Sequence, residues 1–109
     1  MKRPAEMMML PSVDEIFKDT WVAVAYTNGW YPGVVLSQDN SMVEINFMWH
    51  DRNMGTVSWP SKKDIVIVDS NQIFFKIKTA PELTSQGCYL LKEAEHIQEL
   101  FSKYCELYF

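Results

Sequence analysis

Along this chain the spacing of apolar residues changes character twice. From Thr20 the period is two. In "TWVAVAYT", Val22, Val24 and Tyr26 share one face and Trp21, Ala23 and Ala25 the other, the alternation of a β-strand. Asn28-Gly29 follows, a pair that tolerates positive φ and predicts a hairpin turn, and "WYPGVVLSQ" (30–38) is the return strand. Pro32 has no N–H to give to a ladder, which places it at an edge, a bulge or a strand start. Pro32-Gly33 suits a bend or bulge at the rim of a barrel. "DNS" (39–41) makes the next turn. "MVEINFMW" (42–49) alternates again, with Val43, Ile45, Phe47 and Trp49 against Met42, Glu44, Asn46 and Met48. A polar loop, "HDRNMG" (50–55), leads to the short strand "TVSWP" (56–60). "IVIV" (65–68) reads as a strand buried by composition. "IFFKI" (73–77) is the last, with Ile73, Phe75 and Ile77 facing one way and Phe74 the other. Five or six short sequential strands with tight turns and no helix between them predict a mainly β fold, a small antiparallel barrel.

After the loop "KTAPELTSQG" (78–87) the period becomes helical. Leu90, Ala94, Ile97, Phe101, Tyr104 and Tyr108 form one apolar seam, widened by Leu100 and Leu107, and such a stripe must be buried. It can lie across the barrel, with one of Phe74 and Phe75 meeting it, or it can serve over 90–108 as a seam for self-association or a partner helix. Before the strands, residues 1–17 read as a partly flexible lead-in with breakers at Pro4 and Pro11. "SVDEIF" (12–17) offers one helical turn with Ser12 as N-cap and Glu15 in the capping-box position. The organisation is thus a lead-in (1–17), a barrel (18–77), and a loop with a C-terminal α-helix (78–109).

A chain of 109 residues suffices for one domain, and 48% hydrophobic residues suffice for its core. The net charge of −4 argues against affinity built on phosphate neutralisation, so nucleic acid is not the expected partner. It mildly suits cationic partners. Cys88 and Cys105 have neither CxxC spacing nor a companion His cluster and read as free thiols of a reducing compartment. No apolar run approaches the roughly 18 residues of a membrane span. The short apolar patch of "MKRPAEMMML" does not make a signal peptide, so an intracellular location is expected.

Signals of catalysis are missing. The four Gly are isolated rather than gathered in a phosphate-cradling loop, and no GxSxG elbow occurs. His50 and Asp51 are loop neighbours whose side chains point apart, and His96 sits with Glu95 and Glu99 on a solvated helix face. No metal-ligand spacing appears and no cofactor is implied. The remaining signal is aromatic. Tyr26 ends the first strand and Tyr31 begins the second, so they flank the hairpin turn, while Phe47 and Trp49 return to the same rim at the end of the third strand. Four rings around one opening can hold a cation by their faces, at ~0.5–1 kcal/mol per exposed contact and ~2 kcal/mol or more when desolvated. A methylated ammonium suits such a site. Against this stands the habit of small barrels of filling their ends with aromatics; Trp21 and Trp59 are assigned to such packing, and Trp30 faces away from Tyr31.

"WVAVAYTNGWYPGVV" resembles the opening hairpin of Tudor domains, and "VEINFMW" their third strand. The hairpin is also similar to that of PWWP domains, which add C-terminal helices after the barrel. Both belong to the Royal superfamily of SH3-like barrels, and the resemblance covers about residues 18–77. It implies a five- to six-stranded Tudor-like barrel and a non-catalytic nuclear module that reads methylated lysine or arginine on histone-type protein tails. It carries the cage roles to Tyr26, Tyr31, Phe47 and Trp49. The turn that follows the third strand in Tudor domains is replaced by "HDRNMG", where Asp51 or Asn53 is the candidate polar selector. The basic DNA-facing surface of PWWP domains is not matched: Lys62-Lys63, Lys76 and Lys78 are small basic spots. Two other readings are a structural interaction or dimerisation module without a working cage, and a nucleic-acid-binding barrel. The latter would fit the transposon-derived eukaryotic proteins that the later part of the chain, from "VSWPSKKDIVIV" on, resembles.

Overall fold

The computed structural model of the chain describes residues 8–109; the first part of the lead-in, with Pro4, lies outside them. The fold is mainly β: the described residues form nine strands in two antiparallel sheets, and one C-terminal helix. The five longest strands are β1 (Trp21–Tyr26), β2 (Gly29–Asp39), β3 (Met42–Phe47), β6 (Asp64–Asp69) and β7 (Ile73–Lys76). They form one sheet in the order β6-β3-β2-β1-β7. The two-residue strands β4 (Trp49–His50), β8 (Glu82–Leu83) and β9 (Tyr89–Leu90), with β5 (Thr56–Ser58), form a second sheet in the order β4-β5-β9-β8. The sheets are not closed into a barrel. Part of the expected loop 78–87 is β8, and Leu90 belongs to β9 rather than to the helix, which runs from Ala94 to Tyr108 as α1.

The switch between sheets occurs at Met48. The alternation of 42–49 was expected to continue through Trp49, but β3 ends at Phe47 and the Met48 N–H turns to the Pro32 carbonyl at 2.9 Å. Met48 is buried against the helix side, while Trp49 swings out with 52% exposure. The same contact accounts for Pro32. A residue's N–H and C=O leave the strand on the same side, so the donor Pro32 lacks would have pointed where β3 has already ended. No bulge occurs at Pro32-Gly33; β2 bulges at Leu36 instead.

The hairpin between β1 and β2 pairs Tyr26 with Gly29, so its turn residues are Thr27 and Asn28 rather than Asn28-Gly29. Gly29 begins β2 with φ 150°, a conformation open to glycine. Asn40, at φ 56°, provides the left-handed residue of the next turn. Alternation along β1 is as expected: Val22 and Val24 join one core cluster, Ala23 and Ala25 the other.

The five-stranded sheet therefore has two apolar faces. Helix α1 covers one, packing on β7, β1 and β2. Here Ala94, Ile97 and Tyr104 of the seam meet Trp30, Met48, Val57 and Phe74. Phe74 and Phe75 were expected on opposite faces. A register shift in the β1–β7 pairing puts both on the helix side, Phe74 against Phe101 and Tyr104, Phe75 against His96. Ile73 is left alone of its trio on the other face. Trp21 packs on Trp59, with ring centroids 5.8 Å apart. The second face holds Val22, Val24, Val35, Val43, Ile45, Phe47, Val68 and Ile73, and Ile16 plugs it with 1% exposure. Ile16 follows a 3-10 turn over Val13–Glu15, where the Glu15 carboxylate accepts the Ser12 N–H at 2.9 Å. This part of the lead-in thus belongs to the core.

Strand β6 is the largest departure from composition. Its "IVIV" was expected to be buried, but β6 is an edge strand that exposes Ile65, Val66 and Ile67 and buries only Val68. Cys88 and Cys105 are both free thiols. Among the described residues no helix is long and apolar enough to cross a membrane.

Candidate functional site

The second face is closed by Ile16 at one end and open at the other, and there the aromatics converge. Tyr31 lies opposite Val24, so its side chain emerges on the same face as Val22, Val24 and Tyr26. Tyr26 and Tyr31 meet diagonally across the hairpin, with ring centroids 5.8 Å apart and planes at 69°. Phe47, the last residue of β3, lies opposite Gly33. A Cβ on Gly33 would collide with Ile45 Cγ2 and come within 2.9 Å of the Asn46 carbonyl and 3.2 Å of the Phe47 ring. The absence of a side chain there lets Phe47 lie across β2 toward Tyr26, 6.0 Å away at 62°. Trp30, one residue before Tyr31, faces the helix side, where its indole N–H donates to Gln98 Oε1 at 2.9 Å.

Strand β6 adds the polar element. Its register with β3 sets Asp64 opposite Phe47 and Val66 opposite Ile45, both on the face of Tyr26 and Tyr31. The Trp49 indole N–H donates to Asp64 Oδ2 at 2.9 Å, which ties the exposed ring to the rim. His50 closes the site beside Tyr31, with ring centroids 5.6 Å apart. Its Nε2 contacts the Trp30 carbonyl at 2.6 Å; a carbonyl only accepts, so Nε2 carries the proton. Burial pushes the Tyr26 phenol above its ordinary value, with the Asp64 carboxylate and Tyr31 adding to the shift. Asp64 is thus close enough for its field to reach the rings.

Tyr26, Tyr31, Phe47 and Trp49, the four aromatics singled out in the sequence, line one open cavity of ≈ 650 Å³, together with Asn28, His50, Asp64 and Val66. Asp51 and Asn53 are not in it. They line a neighbouring cavity of ≈ 530 Å³ on the other side of Tyr31 and His50. The Asp51 carboxylate accepts the Ser58 hydroxyl at 2.6 Å, and the Asn53 carbonyl accepts the Thr56 N–H and hydroxyl. The carboxylate that lines this cavity is Asp64. In the sequence Asp64 falls between the expected strands 56–60 and 65–68 with nothing to single it out, because only the β3–β6 register brings it opposite Phe47. His50, a loop neighbour of Asp51 by sequence, is exposed but belongs to the short strand β4 and forms part of the wall. The polar pair that could have revealed this, Trp49 with Asp64, spans 15 residues and leaves no local pattern.

No protein-family model, curated protein or solved structure matches the chain. The chemistry of the site is therefore read from its geometry alone. Among the described residues no three His, Cys, Asp or Glu side chains group as a metal site. Several rings at steep angles around a gap, with one carboxylate at the lip, make an environment for a bulky, weakly hydrated cation. The rings supply quadrupole faces and apolar area; Asp64 supplies the countercharge.

Proposed function

We propose that this chain is a non-catalytic reader module that binds methylated lysine or arginine on a protein tail of histone type. The single observation that carries the reading is the convergence of Tyr26, Tyr31 and Phe47 at 62–69° around one open cavity, with Trp49 held over it by Asp64. Methylation strips water from an ammonium and adds apolar surface, so a methylated side chain gains from the rings what a bare lysine must recover from lost hydration. Asp64 takes the role of polar selector in this reading, in place of Asp51 or Asn53. The fold we propose is a Tudor-like, SH3-like barrel opened between β6 and β7. In its favour is a strand order in which the meander β1-β2-β3 is extended by β6 beside β3 and by β7 beside β1. A nuclear site of action follows from the class of ligand.

The alternative of a dimerisation module through the helical seam has less support, because that seam already covers its own sheet at Ala94, Ile97 and Tyr104. A nucleic-acid-binding barrel is disfavoured by the net charge of −4. Calorimetric titration with histone-type peptides carrying unmodified, mono-, di- or trimethylated lysine, or methylated arginine, tests the proposal. Affinity that rises with methylation is expected; equal or absent binding across the set contradicts it.

A further inference from the structure

The cage wall formed by Asp64 and Val66 is also the open edge of a sheet. We infer that the tail bound here lies along β6 as an added strand, carries a methylated cation opposite Asp64, and carries a second basic residue five positions away opposite Asp69. The inference rests on the cage reading above and adds the path and charge pattern of the partner.

The backbone of β6 sets the pattern. Along β3, residues that bond β2 alternate with residues that bond β6. Met42 faces back across the Asn40–Ser41 turn to Asp39, while the Ser41 carbonyl accepts the Ser70 N–H at 2.7 Å. Val43, Ile45 and Phe47 therefore bond Val68, Val66 and Asp64, their register partners. The N–H and C=O groups of Ile65 and Ile67 point away from the sheet, whereas the Asp69 N–H is taken by Gln72 Oε1 at 3.2 Å. Among the described residues nothing bonds these two consecutive positions, on an edge with 44% and 59% exposure at their side chains. Such an edge is a template for a further strand.

Charge decides which strand. Strand β6 begins and ends on a carboxylate, Asp64 and Asp69, and the whole chain carries a net charge of −4, which suits a cationic partner better than a second copy. The same two carboxylates favour a strand with cations at those positions. Residues directly opposite in a sheet share a face, so the residue opposite Asp64 points to the cage side and enters the cavity that Asp64 lines. Asp69, an odd number of residues away, meets its cation on the opposite face.

The test titrates the full chain with three kinds of probe. The first is a blocked trimethyllysine amino acid. The second is a peptide of six residues, the length of β6, with trimethyllysine at one end, lysine at the other and alternating valine and threonine between. The third is that peptide N-methylated at one backbone nitrogen at a time. The peptide should bind at least roughly tenfold more tightly than the amino acid. In an antiparallel added strand, N-methylation one or three residues from the trimethyllysine, opposite Ile65 and Ile67, should cost roughly tenfold, and two residues away less than about twofold; a parallel strand reverses the alternation. If amino acid and peptide bind alike, or N-methylation shows no alternation, the cage stands and the added strand is overturned. If neither probe binds, the cage reading fails and the inference with it. Light scattering should give a monomer with and without peptide; a dimer that the peptide dissociates would assign the edge to a second copy and overturn the proposal.

Discussion

The two faces of the five-stranded sheet are built from the same kinds of residue and finish differently. On the helix side the aromatics are sealed: Phe74 lies between Phe101 and Tyr104, and Tyr104 donates its hydroxyl proton to the Asn71 carbonyl at 2.9 Å. On the other side Ile16 plugs one end, and at the open end Tyr26, Tyr31 and Phe47 meet around a gap instead of filling it. An aromatic cluster alone does not tell core from site. What separates them is what covers the rings, a helix on one face and solvent on the other. Stability should therefore reside mainly on the first face and ligand binding on the second, and variants can separate the two.

The largest effect is expected from the sealed face. Phe74→Ala removes a ring with 2% exposure and should cost about 3–5 kcal/mol, read from denaturant unfolding; a cost below about 1 kcal/mol would mean that the helix face is not the main source of stability. Gly33→Ala breaks the separation, because its new Cβ meets Ile45 and Phe47 beneath the cage. It should lose about 1–3 kcal/mol and weaken methyl-lysine binding as well, a joint loss that Phe47 mobility measured by NMR would register. Trp49→Ala sharpens the comparison: with the ring half exposed, stability should stay within ~0.5 kcal/mol while affinity for a trimethyllysine peptide falls roughly tenfold.

The smallest effect is alkaline. Both faces hold a tyrosine above the ordinary phenol value of 10.0. For Tyr26 the causes are burial, then Asp64, then Tyr31; for Tyr104 they are burial, then Tyr108, Cys105 and Asp69. Each folded state holds its proton more tightly than the unfolded chain does. The associated stability is complete below pH 10.0 and is lost as pH rises through the raised folded values. Tyr26→Phe and Tyr104→Phe should each flatten the decline of stability with pH in that window, as followed by pH-dependent unfolding.

Period-two and period-3.6 spacing made the strands and the helix legible, along with the opposed directions of Trp30 and Tyr31 and the meeting of Tyr26, Tyr31, Phe47 and Trp49. Long-range pairing hid the rest. "IVIV" is as apolar as a central strand, and only the sheet order makes it an edge. The register shift that turns Phe74 and Phe75 the same way has no mark in "IFFKI", since one extra residue in a strand is indistinguishable in sequence from regular pairing. Met48 keeps its place in the alternation, opposite in direction to Phe47, but that β3 ends there is decided at Pro32, 16 positions earlier, which accepts the Met48 N–H and has none to return. Asp64 became a site residue by register alone.

The central claim is that the open face selects a methylated cation. Its most direct measurement is the affinity of the chain for a trimethyllysine peptide beside the same peptide with lysine and with the neutral carbon isostere of trimethyllysine, which has the same shape without charge. Cation–π and Asp64 attraction predict that trimethyllysine binds at least roughly tenfold more tightly than either, and that Tyr26→Ala abolishes the difference. Equal affinity for the charged and neutral forms would contradict the claim and leave the cavity an ordinary apolar depression.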